Sequence, residues 1–355
     1  MQQARVCWSE AKLVALRKAT RTVPGESALI TAIRQQAVAS CAGASALRVG
    51  IGDDCAVLRP GRGCEICITT DFTLEGRHFV RARHPPESVG HRCLTRGLSD
   101  LAAMGAKPLA VFLSLAIPAQ LPAAWVEGFL RGFLALARKH RVSLAGGDTA
   151  ESPVIAKSRT GPIAADIVAV GEVPRGKAVL RSGARPGDRI YVTGMLGGAA
   201  AELAALRRSA SRFRILHRAS AENPHLFPQP RVDVGQRLRS IVHAMIDISD
   251  GLSTDLTHLC EESRVSALID EKALPVHPLA AGSGDPLRLA LHGGDDYELL
   301  FTASPSLRIP SRIAGVSIHC IGAIRRSARG RPPVVLVARD GRQVPVTARG
   351  WEHFR

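Results

Sequence analysis

Aromatic residues are scarce in this chain: Phe, Trp and Tyr together make up 4% of its 355 residues. Surfaces that stack single-stranded nucleic acid interleave aromatics with basic side chains, yet the basic stretches Arg207-Arg208 and Arg231–Arg239 hold almost none. Lysine is scarce as well. Only seven of the 47 basic residues are lysines; the rest are arginines scattered through an Ala-rich chain. The net charge of +16 therefore reads as diffuse compositional bias rather than a binding face, and no nucleic-acid partner is expected.

No apolar run is long enough to span a bilayer unbroken. The longest uncharged stretch, 108–126, is interrupted by Pro118, Gln120 and Pro122 and reads as a buried strand followed by a helix, so no membrane association is expected. Residues 1–23 lack the apolar core of a secretory signal, and 1–25 read as a basic, poorly ordered extension. The eight cysteines are irregularly spaced, which fits a reducing cytoplasm better than a disulfide framework. One CxxC, Cys64 and Cys67, has no companion pair, and it reads as part of a strand over 64–70 rather than a zinc or redox site. Three nucleotide-binding signatures are also missing: GxxxxGK[ST], GxGxxG and the protein-kinase HRD and DFG set.

With 46% hydrophobic and 22% charged residues, the chain has ordinary globular composition, and its length suggests two domains. Apolar spacing predicts helices over 26–39, 89–104, 122–139, 199–207, 231–240 and 252–262. Strands are predicted over 55–58, 64–70, 109–117, 142–145, 163–173, 189–193, 244–248, 297–302, 317–321 and 334–337. The turn-rich segment 181–188 precedes a clear strand and marks a boundary, giving domains at 26–183 and 184–355.

Acid is the scarce charge, with 31 Asp and Glu, and it recurs in one setting: beside Gly, Ser or Thr at the ends of apolar strands. The clusters are Gly52-Asp53-Asp54, Thr69-Thr70-Asp71, Leu98-Ser99-Asp100, Gly146-Gly147-Asp148-Thr149, Asp247-Ile248-Ser249-Asp250-Gly251 and Gly293-Gly294-Asp295-Asp296. One such turn is ordinary capping chemistry. Six favour carboxylates gathered around hard cations, and Mg²⁺ in particular, which binds through a few oxygen ligands plus substrate phosphates. Glycines beside them let backbone amides approach phosphate oxygens.

Taken in order, these segments resemble the thiamine-monophosphate kinase family, part of the superfamily of aminoimidazole ribonucleotide synthetase, selenophosphate synthetase and a hydrogenase maturation protein. The resemblance extends through Thr69–Phe79, Leu98–Ala106, Leu180–Asp188, Tyr191–Gly194, Ala244–Leu252, Gly293–Thr302 and Gly350–Phe354, and covers about residues 26 to 355. It implies an α/β (α+β) fold of two synthetase-like domains, a homodimer pairing through its N-terminal mixed sheets, and transfer of the ATP γ-phosphate to thiamine monophosphate. By similarity, Asp54, Thr69, Thr70, Asp71, Asp100, Asp148, Asp247 and Asp250 would hold several Mg²⁺ ions. Gly147, Asp148, Arg181 and Ser249 would contact ATP, and His78, Asp295 and Trp351 would meet thiamine monophosphate. No catalytic base is expected, because a phosphate monoester with a second pKa of about 6 is already largely dianionic near neutral pH.

Read alone, His78 after a strand, Arg181 in a turn and Trp351 near the C-terminus are equally compatible with structural roles. The family usually has Gly-Gly-Glu-Asp where this chain has Gly293-Gly294-Asp295-Asp296, so the presumed substrate carboxylate is one methylene shorter. Gly97 stands where Asn is common, and Gly198 where an acidic residue often follows Leu-Gly. The alternatives are a sister synthetase with another acceptor, or a non-catalytic basic protein that binds nucleic acid. The retained acidic clusters speak against the second.

Overall fold

The computed structural model describes residues 26–40, 46–51, 54–153, 161–208, 223–330 and 332–351. The 1–25 extension, Asp53 and the end of the terminal motif, 352–354, lie outside them. The N-terminal half runs α1 (Glu26–Ser40), β1 (Leu47–Val49), β2 (Val57–Leu58), β3 (Cys64–Leu74), α2 (Pro86–Ala103), β4 (Lys107–Ile117), α3 (Ala123–Lys139), β5 (Ser143–Glu151) and β6 (Ala164–Pro174). The C-terminal half runs β7 (Arg189–Thr193), α4 (Gly198–Arg208), α5 (Val232–Leu238), β8 (Ala244–Ile248), α6 (Leu252–Ser263), β9 (Val265–Asp270), α7 (Pro278–Ala281), α8 (Pro286–His292), β10 (Glu298–Ala303), β11 (Arg312–Ile313), β12 (Val316–Arg326), β13 (Val334–Val337) and β14 (Gln343–Pro345).

This is a mixed α/β molecule with two principal sheets. The first has the order β3-β6-β4-β5, antiparallel except for the parallel β4–β5 pair. The second is eight-stranded, β14-β13-β9-β12-β7-β10-β8, with β11 beside β12. Helix α2 lies between the sheets, and α3 packs against it. One core joins Leu113, Ile167 and Ala169 of the small sheet to Leu94 and Phe129 on these helices and to Tyr191, Met245 and Phe301 of the large one. Strand alternation sends Ile190, Val192 and Ile246 to the opposite face, where they meet Leu256 and Leu259 of α6 in a second core.

Helix α2 begins with Pro at its first turn, where the missing N–H costs nothing. It is buried nearly all round because it contacts β3 and β6 on one side and β8 and α5 on others. Its crossing with α3 is glycine-dependent: a Cβ on Gly90 would lie 1.9 Å from the Phe129 carbonyl oxygen, and one on Gly132 1.9 Å from that of Glu87.

Strand 64–70 extends to Leu74, and 55–58 shrinks to Val57–Leu58. Cys64 and Cys67, three apart on an extended strand, face opposite sides, so they do not form a metal pair. The six described cysteines form no disulfide. The 108–126 stretch is β4 followed by α3, and among the described residues no helix is long and apolar enough to cross a membrane. Strand β9 was absent from the expected elements. It follows Arg264, which ends α6 in the left-handed conformation at φ 55 without the glycine that usually signals such a cap.

Three buried histidines, His84, His91 and His225, pack on or beside α2. Burial pulls His84 and His91 down to about 4 and His225 well below its usual value. Neutral imidazole is favoured by the fold, so this stability is complete above about pH 6.5 and is lost as pH falls towards 4. At pH 5, His91 alone should cost about 2 kcal/mol. The melting temperature is expected to drop between pH 7.5 and 5, and to drop less in His91→Gln, as read by calorimetry.

Candidate functional site

The predicted residues fall into two groups. The first lies where the C-terminal half of α2 meets β3 and β8. Alternation along β3 turns Thr69 and Asp71 towards α2 and leaves Thr70 and Phe72 on the open face. The Thr69 hydroxyl donates to Asp100 Oδ2 at 2.5 Å, and the Ser99 hydroxyl donates to Asp247 Oδ2 at 2.7 Å. Arg96 donates to Asp71 Oδ1 at 2.8 Å. Both Asp100 and Asp247 are pushed above the usual carboxylate range, first by burial; the Asp71 charge adds to Asp100 and the Asp100 charge to Asp247. Arg181, in the exposed turn Arg181–Gly183, opposes both shifts by its charge. The cluster is one of oxygen donors short of positive charge.

The turn after β8 adjoins this group and is clamped from several sides. Asp250 and Gly251 N–H groups donate to Asp255 Oδ2, whose carboxyl burial drives well above its usual range. The Ser249 carbonyl accepts from the Asp295 N–H at 2.8 Å, and the Asp250 carbonyl from the Trp351 N–H at 3.0 Å. Ser249, Asp250, Asp295 and Trp351, far apart in sequence, are thus joined through backbone. The Trp351 side chain remains 42% exposed.

Asp295 is the hub of an ion-pair system. It takes Arg92 at 2.7 Å and the Tyr297 hydroxyl at 2.9 Å, with Arg96 at 3.8 Å. Against its burial, Arg92 leads the charges that hold its carboxyl well below the usual range. The same Arg92 donates to the His78 carbonyl at 2.8 Å, while His78 Nδ1 accepts from the Leu74 N–H. One side chain, Arg92, thus links the His78 backbone to the Asp295 carboxylate.

The second group lines a cleft of about 650 Å³ between α1 and the β4–β5 edge. Asp54, Gly147 and Asp148 meet apolar walls from Ile30, Phe112 and Leu115. A Cβ on Gly147 would stand 1.9 Å from the Leu113 carbonyl oxygen, so glycine is required where β5 lies on β4. Asp71 on β3 and Asp148 on β5 occupy opposite edge strands of the small sheet, about 14 Å apart at the usual strand spacing. The predicted carboxylates thus lie in two groups in the folded chain. Among the described residues, no three His, Cys, Asp or Glu side chains are grouped so as to hold an ion by themselves.

Sequence reasoning missed Arg92, Arg96 and the role of Ser99. The signal available was two arginines four apart on a helix otherwise rich in apolar residues, immediately before Asp100, since a buried arginine requires a partner. The departure at Gly97 is explained by packing: a Cβ there would stand 2.8 Å from Ala169 Cβ on β6.

Residues 52–173 match the AIR synthase related protein N-terminal domain, and 185–308 its C-terminal domain. The chain is 37% identical over 318 residues to a thiamine-monophosphate kinase from Salmonella typhimurium, covering 87% of this chain and 92% of that protein. A crystal structure of thiamine-monophosphate kinase from Stenotrophomonas maltophilia K279a superposes with a TM-score of 0.74 at 34% identity, covering 92% of this chain and all of that one. A structure described as AaThiL complexed with AMPPCP and TMP gives 0.70 at 30% identity, covering 93% and 97%.

Arg92 is 3% exposed and the Asp295 side chain half-buried, so removing Arg92 takes away the nearest charge partner of Asp295 and leaves it the longer Arg96 contact and the Tyr297 hydroxyl. Arg92→Met is expected to lose about 3 kcal/mol or more of stability in denaturant titration. Arg92→Lys, which keeps the charge but not the two-pronged donor, should fall between it and the wild type.

Proposed function

Since the chain belongs to the thiamine-monophosphate kinases of the AIR synthase related family, we propose that it transfers the γ-phosphate of ATP to thiamine monophosphate, giving thiamine diphosphate and ADP. The observation that carries the reading is the charge-deficient oxygen cluster of Asp71, Asp100 and Asp247, with Thr69 and Ser99 hydroxyls already turned to it. Such a donor set fits Mg²⁺, which takes hard oxygen ligands and completes its shell with water and phosphate. Thr69, Asp71, Asp100, Asp247 and Asp250 would hold ions at the seam; Asp54, Thr70 and Asp148 would serve ions nearer the cleft and the open face. Bound magnesium would neutralise the two phosphate groups that must approach each other.

The residues of the chain then have separate tasks. The apolar walls of the cleft receive the adenine, and the bare backbone at Gly147 lets phosphates pass close to β5. Arg181 and Ser249 meet the phosphates from the C-terminal half, Arg181 as an always-charged donor. On the acceptor side, Trp351 offers a flat exposed face to the cationic thiazolium. Asp295, kept ionised by Arg92, adds attraction for the same cation, and His78 borders the acceptor from the strand β3 side. No side chain has to remove a proton, because the acceptor oxygen is already anionic. Rate comes from alignment.

We further assign residues 26–183 and 184–355 as the two domains, each built on its own sheet. The pattern of free cysteines fits a reducing cytoplasm. The open face of the small sheet exposes Ile66, Ile68 and Phe72 by 42, 66 and 58%. This apolar row is the surface through which two copies would pair. Light scattering should give a dimer mass for the wild type and a monomer mass for Ile68→Glu; a monomeric wild type overturns the pairing.

The purified protein, incubated with ATP, Mg²⁺ and thiamine monophosphate, should yield thiamine diphosphate by chromatography, with none from thiamine and none after chelation. Absence of product while ATP binds would reassign the acceptor to that of a sister synthetase.

A further inference from the structure

Arg96 stands between the two functional sets rather than in either. It projects from α2 with a side chain 14% exposed, one nitrogen 2.8 Å from Asp71 Oδ1 and the other 3.8 Å from Asp295 Oδ1. Asp71 belongs to the ion-binding set and Asp295 to the acceptor set. Arg96 also lies one helical turn before Asp100 and opposes that carboxyl's upward shift by its charge, as does Arg181. Of these two cations, Arg181 is exposed in its turn and Arg96 is enclosed by the sheets.

A guanidinium and a divalent ion compete for Asp71. An ion that used this carboxylate would sit within a few ångströms of a fixed positive charge at a half-buried site, where water screens the repulsion only in part. The arginine stem is flexible, and its second carboxylate is already within ion-pair distance. We propose that Arg96 is the resident cation of this site: it neutralises Asp71 in the ion-free protein and shifts to Asp295 when a divalent ion takes Asp71. Arg96 therefore sets how tightly the ion is held, and it links loading of the ion to the acceptor side. This inference rests on the reading of Asp71 as an ion ligand.

The test is binding of Mn²⁺ as a spectroscopic probe, by electron paramagnetic resonance, with a non-hydrolysable ATP analogue present. Arg96→Met keeps the stem and loses the charge, and should bind Mn²⁺ roughly tenfold more tightly than the wild type. Without the ion it should melt at a lower temperature than the wild type, and saturating Mn²⁺ should close that gap. Arg96→Lys keeps a charge but lacks the fork needed to bridge two carboxylates, and should tighten binding roughly threefold. Unchanged or weaker Mn²⁺ binding in the variants, with the wild type binding normally, overturns the role of Arg96 alone. If the wild type binds no Mn²⁺ even with the nucleotide analogue, the ion reading of Asp71 falls and this inference falls with it.

Discussion

Helix α2 is packed between two sheets, and it nevertheless carries two arginines and an aspartate on its inner turns. Burying those charges without partners would cost several kcal/mol each. The requirement is met by both halves of the molecule: Asp71 and Thr69 reach in from β3, Asp295 from the turn before β10, and Asp247 stands at the end of β8 beside Ser99. Most of the proposed phosphate-transfer seam is thus the set of groups that a buried polar helix obliges its neighbours to supply. The close crossing at Gly90 and Gly132 belongs to the same constraint, since it brings α3 against α2 and leaves the opposite side of α2 to the sheets.

The separation of the acidic groups has a physical sense. Four carboxylates in one place would repel in the absence of ions, and each would be driven further towards protonation than burial and neighbouring charge already take Asp100 and Asp247. Placing Asp148 on the far edge strand of the small sheet limits that repulsion, and in the proposed function the intervening distance is spanned by a phosphate chain and its ions. The chain as a whole is basic, with a net charge of +16, so the acidic seam sits in a field that favours polyanions approaching from solvent.

Most of the element pattern was legible because apolar periodicity and turn residues are local properties. The clusters Thr69-Thr70-Asp71 and Leu98-Ser99-Asp100 were legible for the same reason, each joining small polar residues to an acid. What stayed hidden depends on burial and on contacts across the chain. Arg92 and Arg96 look like solvated helix charges until α2 is enclosed on both sides. Thr69 and Thr70 read as equivalent neighbours, and only strand orientation sends one to Asp100 and the other to the open face. Strand β9 was lost because Arg264 makes a left-handed turn that sequence convention reserves for glycine.

The short carboxylate at Asp295 illustrates how the halves depend on each other. Asp295 and Tyr297 both adopt left-handed backbone, at φ 67 and 51, conformations that cost on the order of 1 kcal/mol or more each outside glycine. The turn holds that strain because its side chains are secured elsewhere: Asp295 by Arg92 of α2 and by the Tyr297 hydroxyl, and its backbone by the Ser249 carbonyl. A carboxylate one methylene shorter still reaches its partner, since the twisted backbone and the enclosed helix bring the two within 2.7 Å. The turn that carries Asp295 in the C-terminal half is therefore shaped by a helix of the N-terminal half. A site assembled in this way exists only when both halves are folded against α2, which places the coupling between domains inside the site itself.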